Sequence, residues 1–199
     1  MKDLGEGGSQ LFHVLFDLGD EYYALTSALH PIGIQKVRKV MMIFVDHGYD
    51  SKDPWGDALD YCSKFTECGD TAIFMTAARN YAYKIRDWGK LMVSAGIGKS
   101  GENAGKTINV AVFLDFGVSI NGMVDLIRTV TEAKSGALRD LSYEFTGTVS
   151  DAVAVGGKPG EVSFLGPGTD VGRKVAKEVR QTIRLLLEGE KEKSNALGS

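Results

Sequence analysis

Cysteine and histidine are scarce in this chain of 199 residues, which has two of the former and three of the latter. Cys62 and Cys68 cannot form the several bridges of a disulfide framework, and their spacing without neighbouring histidines makes a poor zinc site. His13, His30 and His47 lie far apart in the sequence and match no known ligand spacing. We therefore expect two reduced thiols and no metal site, as in a cytoplasmic protein.

Long apolar runs and an excess of one charge are also absent. No run approaches the roughly 18 apolar residues of a transmembrane helix. Residues 1–10 are polar and glycine-rich, so we expect a flexible N-terminus rather than a signal peptide. Lys and Arg number 23 against 26 Asp and Glu, a net charge of −3. That balance argues against partners such as nucleic acid or a membrane surface.

The chain does have the composition of a globular protein, with 43% hydrophobic and 25% charged residues. Its length, without a repeat or a long linker, predicts a single domain over residues 11–187, followed by a frayed polar tail at 188–199. Glycine is abundant, with 25 residues clustered at 96–105, 147–160 and 166–172. Such clusters predict tight turns and close approaches of the backbone.

Strand-like runs dominate the first half of the chain, and long helical patterns dominate the second. The apolar runs 11–18 and 22–29, joined by Gly19-Asp20, predict a β-hairpin. Asp53 and Pro54 predict the cap and first turn of a short helix. Further strands are expected at 37–45, 71–75, 81–85, 90–97, 107–114 and 152–155, and long helices at about 120–141 and 170–187. This order predicts an α+β (mixed α/β) domain, in which a mostly antiparallel or mixed sheet packs with the two long helices.

Two glycine-rich motifs suggest nucleotide binding but have the wrong context. Gly96–Gly101 fits the dinucleotide pattern GxGxxG, and Gly101–Thr107 is similar to a phosphate-binding P-loop. Both mechanisms need a helix to begin at the last glycine, so that its N-terminus faces the phosphates. Here the strand expected at 107–114 follows instead. We therefore favour a glycine-rich surface loop.

The helix expected at 120–141 contains a lysine in an apolar position. At about 100° per residue, one stripe comprises Ile120, Met123, Val124, Ile127, Val130, Thr131, Leu138 and Leu141. Asp125, Arg128, Glu132 and Arg139 fall on the opposite, salt-bridged side. Lys134 lies near the centre of the apolar stripe. Its ammonium either reaches water past a packed stem, or forms a buried ion pair, or has a lowered pKa suited to catalysis.

Three polar segments at predicted element ends are further candidates. His47 lies in the polar turn 46–50 after a buried strand, where functional residues are often found. Thr146–Asp151 brings hydroxyls and a carboxylate to the start of the strand at 152–155. Gly166–Asp170 leads into the last helix, where Thr169 or Asp170 is the expected cap and free backbone N–H groups suit an anion. Each segment is equally consistent with a plain turn or cap.

Several segments together resemble signatures of the adenosylcobinamide amidohydrolase family. The strongest are Thr107–Val110, Thr131–Leu141 and Ser150–Val155, with weaker agreement at Leu25–Ala28 and Met75–Ala78. The likeness runs from about residue 20 to residue 187. It implies hydrolysis of the amide that joins aminopropanol to the corrin ring of adenosylcobinamide, as in archaeal corrinoid salvage. The product would be adenosylcobyric acid, which re-enters cobalamin synthesis. The corrinoid is then a small-molecule substrate, no cofactor is expected, and a homo-oligomer is one alternative for the assembly.

Amide hydrolysis requires an activated water or nucleophile, oxyanion stabilisation and protonation of the leaving amine. The sequence shows no Ser-His-Asp order, so we hypothesise that Lys134 and Asp151 meet in one cleft as the catalytic pair. Asp151 would activate water or orient the hydroxyl of Thr148 or Ser150. Lys134 would stabilise the oxyanion or protonate the leaving nitrogen.

Other residues are predicted to bind substrate. Asn109 would bind side-chain amides of the corrin, and backbone amides near Gly147 and Gly168 would add donors. The family resemblance adds Thr76 and Glu132, and the polar turn adds His47.

Two alternatives remain open at the level of sequence. Leu29–Gly33 stands where the family tends to have an asparagine and paired glycines, so a corrinoid-binding protein without hydrolysis is the first. A nucleotide-binding protein that uses residues 96–107 is the second. Release of cobyric acid would distinguish an enzyme from a corrinoid-binding protein. Titration with nucleotides would test the nucleotide-binding alternative.

Overall fold

The computed structural model describes residues 11–46, 48–97 and 107–196, with side chains described up to residue 190. The strands are β1 (Phe12–Thr26), β2 (Ile34–Phe44), β3 (Thr71–Thr76), β4 (Tyr81–Arg86), β5 (Gly89–Ala95), β6 (Ile108–Val118) and β7 (Ala152–Pro159). The helices are α1 (Pro54–Cys62), α2 (Ile120–Asp140) and α3 (Asp170–Ala196). The predicted α+β class is confirmed, and α3 ends later than the sequence pattern indicates.

These strands form one mixed sheet in the order β3-β2-β1-β7-β6-β5-β4. The pairs β2–β3 and β6–β7 are parallel, and the other neighbours are antiparallel. The sheet curls so that β4, at one edge, approaches β1 and β2 near the other edge. The ring of Tyr81 on β4 lies 5.5 Å from that of Phe44 on β2 and 6.3 Å from that of Phe16 on β1, measured between centroids. The concave side therefore encloses its own apolar cluster, which includes Tyr22, Phe74 and Phe113.

Helices α2 and α3 cover the convex side of the sheet. Their buried faces, with residues such as Leu126, Val130, Val179 and Ile183, pack on strands β5 to β7. The short α1 packs on β2 and β3. As expected, Asp53 caps α1: its Oδ1 accepts the Gly56 N–H at 3.0 Å.

The predicted hairpin at 11–29 is wrong, because β1 is one continuous strand. Both halves of β1 pair with β2, and the register shifts between Asp17 and Tyr22. Gly19 there has φ +71°, and its N–H donates to Asp17 Oδ1 at 2.7 Å. A left-handed glycine serves a hairpin turn and a bulge equally well, so the local sequence does not distinguish them.

The expectation of two reduced thiols is also wrong, since Cys62 and Cys68 form a disulfide in this structure. After α1 the chain turns back, so that the Cα atoms of Cys62 and Cys68 lie 6.0 Å apart. This distance is within the range that a disulfide bridges. The expectation of a cytoplasmic location thereby loses the support that it took from free thiols.

The apolar stripe of α2 is rotated relative to the predicted one. Ile120 and Val124 are more than half exposed, whereas Leu126 and Thr129 are fully buried. Thr129 is accommodated because its hydroxyl donates to the Leu165 carbonyl at 2.7 Å. The helix packs against α3 as well as the sheet, so its buried face is broader than a single stripe on the helical wheel.

Candidate active site

A cleft of about 310 Å³ opens at one end of the curled sheet. Four parts of the chain form it: the segment after β1, the end of β3, the loop 45–54, and the starts of β6 and β7. Its polar lining includes Ser27, Tyr49, Asp50, Thr76, Asn109 and Ser150. Apolar groups such as Phe74 and Met75 complete the wall, so the cleft suits a small group of mixed polarity.

Asn109 is the buried amide of this cleft, with only 1% of its surface exposed. Its Oδ1 accepts the Ala152 N–H at 3.2 Å and the Thr107 hydroxyl at 3.2 Å. Its Nδ2 has no hydrogen-bond partner among the described residues. Because an unsatisfied buried donor is costly, this amide nitrogen is suited to a carbonyl or another acceptor of a ligand.

Two other polar side chains of the lining, those of Thr76 and Ser27, are bonded to the backbone. Thr76 is buried, and its Oγ1 accepts the Ala78 N–H at 3.0 Å. The Ser27 hydroxyl accepts the Val153 N–H at 3.0 Å. The Ser150 side chain lies at the surface, and its carbonyl accepts the Thr107 hydroxyl at 2.9 Å.

Lys134 and Asp151 form a buried ion pair, as the second interpretation of Lys134 predicts. The Lys134 Nζ lies 2.5 Å from Asp151 Oδ2, and the two side chains are only 10% and 8% exposed. The carboxylate also accepts the Thr148 N–H at 3.0 Å, the Thr148 hydroxyl at 2.6 Å and the Ile108 N–H at 2.8 Å. Four donors therefore occupy both oxygens, and little acceptor capacity is left for a water.

Gly147 lets the backbone pass directly over this pair. A Cβ atom at position 147 would lie 2.6 Å from both Asp151 Oδ2 and Lys134 Nζ. Gly147 is thus part of the enclosure of the ion pair, and any side chain there displaces it.

The pair does not line the cleft, although it lies immediately behind it. Successive residues of a strand face opposite sides of a sheet. Ser150 and Ala152 face the cleft, so Asp151 faces the helices, and Ile108 likewise belongs to the core under α2 and α3. The predicted contact of Lys134 with Asp151 is therefore present on the face opposite to the cleft.

Predicted binding residues that do not line the cleft are Glu132, Gly168, and Gly147 and Thr148 at the ion pair. Glu132 is exposed and pairs with Arg128 at 3.2 Å, on the solvated side that the helical wheel predicts. Gly168 belongs to the turn before α3, where Thr169 Oγ1 accepts the Gly172 N–H at 3.1 Å and so caps the helix. His47 lies outside the described residues, as does most of the glycine-rich segment 96–107.

The loop after β2, which includes the polar turn 46–50 of the sequence analysis, contributes three described polar residues to the cleft. Tyr49, Asp50 and Ser51 line the cleft, and the Tyr49 hydroxyl donates to Asp57 Oδ2 at 2.8 Å. Burial, together with that carboxylate, raises the pKa of Tyr49 to about 12, so it remains a hydrogen-bond donor at neutral pH. The polar turn 46–50 after a buried strand was the sequence signal for this loop, although the residue predicted from it was His47.

Neither a metal cluster nor a membrane-spanning helix is found among the described residues. Within residues 11–46, 48–97 and 107–190, no three His, Cys, Asp or Glu side chains gather as a metal site would require. No helix in that part of the chain has the length and hydropathy needed to cross a membrane.

A curled mixed sheet with helices on its convex side and a cleft of mixed polarity at one end defines a single α+β domain. Residues 7–195 match the family described as adenosylcobinamide amidohydrolase, and the chain belongs to this family. A relative from Methanosarcina mazei, named adenosylcobinamide amidohydrolase, is 31% identical over 115 residues. That alignment covers 51% of this chain and 58% of the relative, which is less than two thirds of the relative's length.

Proposed function

We propose that this protein hydrolyses the amide between aminopropanol and the corrin ring of adenosylcobinamide, giving adenosylcobyric acid and aminopropanol. The proposal rests on family membership over residues 7–195. The acid would then serve cobalamin synthesis, and the corrinoid would be substrate rather than cofactor.

The dimensions of the cleft indicate which part of the substrate enters it. A cavity of about 310 Å³ is small for a ligand pocket, and a corrin ring with its adenosyl group is much larger. The narrow aminopropanol arm and its amide would therefore enter, while the ring stays at the mouth. The unpartnered Nδ2 of Asn109 is available to the amide carbonyl of that arm.

Exposed apolar side chains next to the lining would meet the corrin face. Trp55 follows Pro54 of the cleft and is 53% exposed, and Val149 precedes Ser150 and is 95% exposed. Both offer apolar surface beside the mouth, where a broad and partly apolar ring would cover them.

For Lys134 and Asp151 we propose a supporting role in place of the catalytic roles predicted from sequence. Water activation by Asp151 would require a free carboxylate oxygen on the cleft side, whereas both oxygens are bound on the other side. The pair instead ties α2 and the turn at 147–148 to the start of β6, next to Asn109.

The test is incubation of the purified protein with adenosylcobinamide, with products separated by chromatography and identified by mass spectrometry. We expect equal amounts of adenosylcobyric acid and aminopropanol to form with time and with enzyme concentration. Retention of the corrinoid without product would overturn hydrolysis in favour of the corrinoid-binding alternative. Neither product nor binding would overturn both.

A further inference from the structure

We infer that Asp50 is the general base of the proposed hydrolysis and that Asn109 Nδ2 is its oxyanion donor. This inference deepens the proposed function and rests on it. It assigns the chemistry to the cleft itself and not to the buried ion pair behind it.

Asp50 is the one carboxylate among the described residues that line the cleft. Its side chain is exposed, and it forms no hydrogen bond or ion pair with any described residue. The neighbouring acids all have structural partners: Asp46 pairs with Arg79 at 3.0 Å, Asp53 caps α1, and Asp57 accepts from Tyr49. Asp50 therefore retains free acceptor capacity where a water could reach it.

The loop that bears Asp50 is held in place on both sides of it. The Tyr49 N–H donates to the Asp46 carbonyl at 3.0 Å, and the Tyr49 hydroxyl is anchored to α1 through Asp57. On the other side, the Ser51 hydroxyl accepts the Asp53 N–H at 3.1 Å. The backbone on both sides of Asp50 is therefore fixed, while its carboxylate remains free to accept a proton from water.

Asn109 approaches the same cleft from the sheet. Asn109 lines the cleft from β6 and Asp50 lines it from the loop 45–54, so the two residues are contributed by different walls. A base on one wall and a fixed amide donor on the other is the minimal arrangement for adding water to an amide.

The reaction then balances with water as the only co-reactant. Asp50 takes a proton from water, and the resulting hydroxide attacks the amide carbonyl carbon. The tetrahedral oxyanion accepts a hydrogen bond from Asn109 Nδ2. When the C–N bond breaks, the proton held on Asp50 passes to the leaving nitrogen. The products are the corrinoid carboxylic acid and aminopropanol.

The experiment compares the wild-type enzyme with Asp50→Asn and with the control Asp60→Asn. Asp60 is exposed on α1 and does not line the cleft, so the control makes the same change in charge. Substrate affinity is measured by equilibrium binding of adenosylcobinamide, and turnover is measured by product release. We expect Asp50→Asn to lower kcat by about 100-fold or more with a Kd within a few-fold of wild type, and Asp60→Asn to retain activity.

Unchanged turnover in Asp50→Asn would overturn the inference while leaving the proposed function in place. A loss of binding equal to the loss of turnover would also overturn it, because Asp50 would then hold substrate only. Circular dichroism and thermal unfolding of each variant verify that the fold is retained. If Asp50→Asn fails to fold, Asp50→Glu takes its place. This variant keeps the carboxylate but moves it, so we expect partial turnover. Turnover equal to wild type, or none at all, would contradict a positioned base. Failure of the wild type to release product is a separate outcome that refutes the proposed function itself.

Discussion

Asn109 and Asp151 bind each other's strands from opposite faces of the sheet. Asn109 Oδ1 accepts the N–H of Ala152 on β7, and Asp151 Oδ1 accepts the N–H of Ile108 on β6. The two parallel strands are thereby joined at their starts by side chains as well as by the ladder. Asn109 lines the cleft beside this junction, and its Nδ2 has no partner among the described residues.

The first prediction concerns the donor in the cleft. Asn109→Ala should lower the turnover of adenosylcobinamide by about 100-fold, since removal of one oxyanion donor typically has an effect of that size. Ser94→Ala is the matched control: Ser94 pairs in register with Asn109 on the neighbouring strand, and its buried hydroxyl also has no described partner. An equal loss in both variants would indicate a general disturbance of the sheet and contradict a specific role for Asn109.

The second prediction concerns the buried ion pair. Lys134→Met and Asp151→Asn should each lower the free energy of unfolding by about 3–5 kcal/mol, because each leaves a buried group without its partner. The double variant should be less destabilised than the sum of the two. Urea unfolding followed by circular dichroism measures all four proteins. Strict additivity would show that the contact contributes nothing to stability.

The third prediction compares two glycines that the sequence analysis selected for the same reason. Gly147→Ala places a methyl group against Lys134 and Asp151 and should lower the free energy of unfolding by about 1–3 kcal/mol. Gly168→Ala meets no atom within 4 Å and should be close to neutral. Thermal unfolding of the two variants distinguishes them. Equal melting temperatures would rule out a role for Gly147 in enclosing the ion pair.

The fourth prediction concerns stability against pH. Glu178 of α3 accepts hydrogen bonds from Arg86 at 2.9 Å and Lys84 at 2.8 Å, and these cations, Arg86 above all, lower its pKa to about 2. A carboxyl with a depressed folded pKa stabilises fully above its unfolded value of about 4.5, and this contribution is lost as the pH falls towards 2.

Glu178→Gln should therefore lower the free energy of unfolding by about 1–2 kcal/mol at pH 7, after screening by solvent. The difference from wild type should shrink between pH 4.5 and 2. Urea unfolding at several pH values measures it, with the exposed Glu144→Gln as control. A difference that does not change with pH would contradict the ion-pair origin.

The sequence predicted most elements of the fold, because periodicity and caps are local. Asp53 as the cap of α1, the strand that begins near Thr107 and the helix that begins at Ile120 follow directly from such patterns. The continuous β1 and the rotated face of α2 do not, because each depends on which neighbour the element packs against.

The candidate site was predicted in part for the same reason. Lys134 was conspicuous because an ammonium in an apolar stripe requires a partner, and Asp151 because a carboxylate at the start of a buried strand does too. Asp50 had no such conspicuous surroundings. Its role as the free carboxylate of the cleft follows only from the structural partners that Asp46, Asp53 and Asp57 have in three dimensions.

By itself, the sequence determined the α+β class, the two long helices and the family likeness, and it indicated that Lys134 and Asp151 each need a partner. These follow from residue spacing and from the cost of burying an unpaired charge. The tertiary structure alone decided which face of the sheet each group occupies. The curl of the sheet and the alternation of side chains along β6 and β7 put Asn109 in the cleft and Asp151 behind it. Faces are set by long-range strand pairing, which no local pattern encodes.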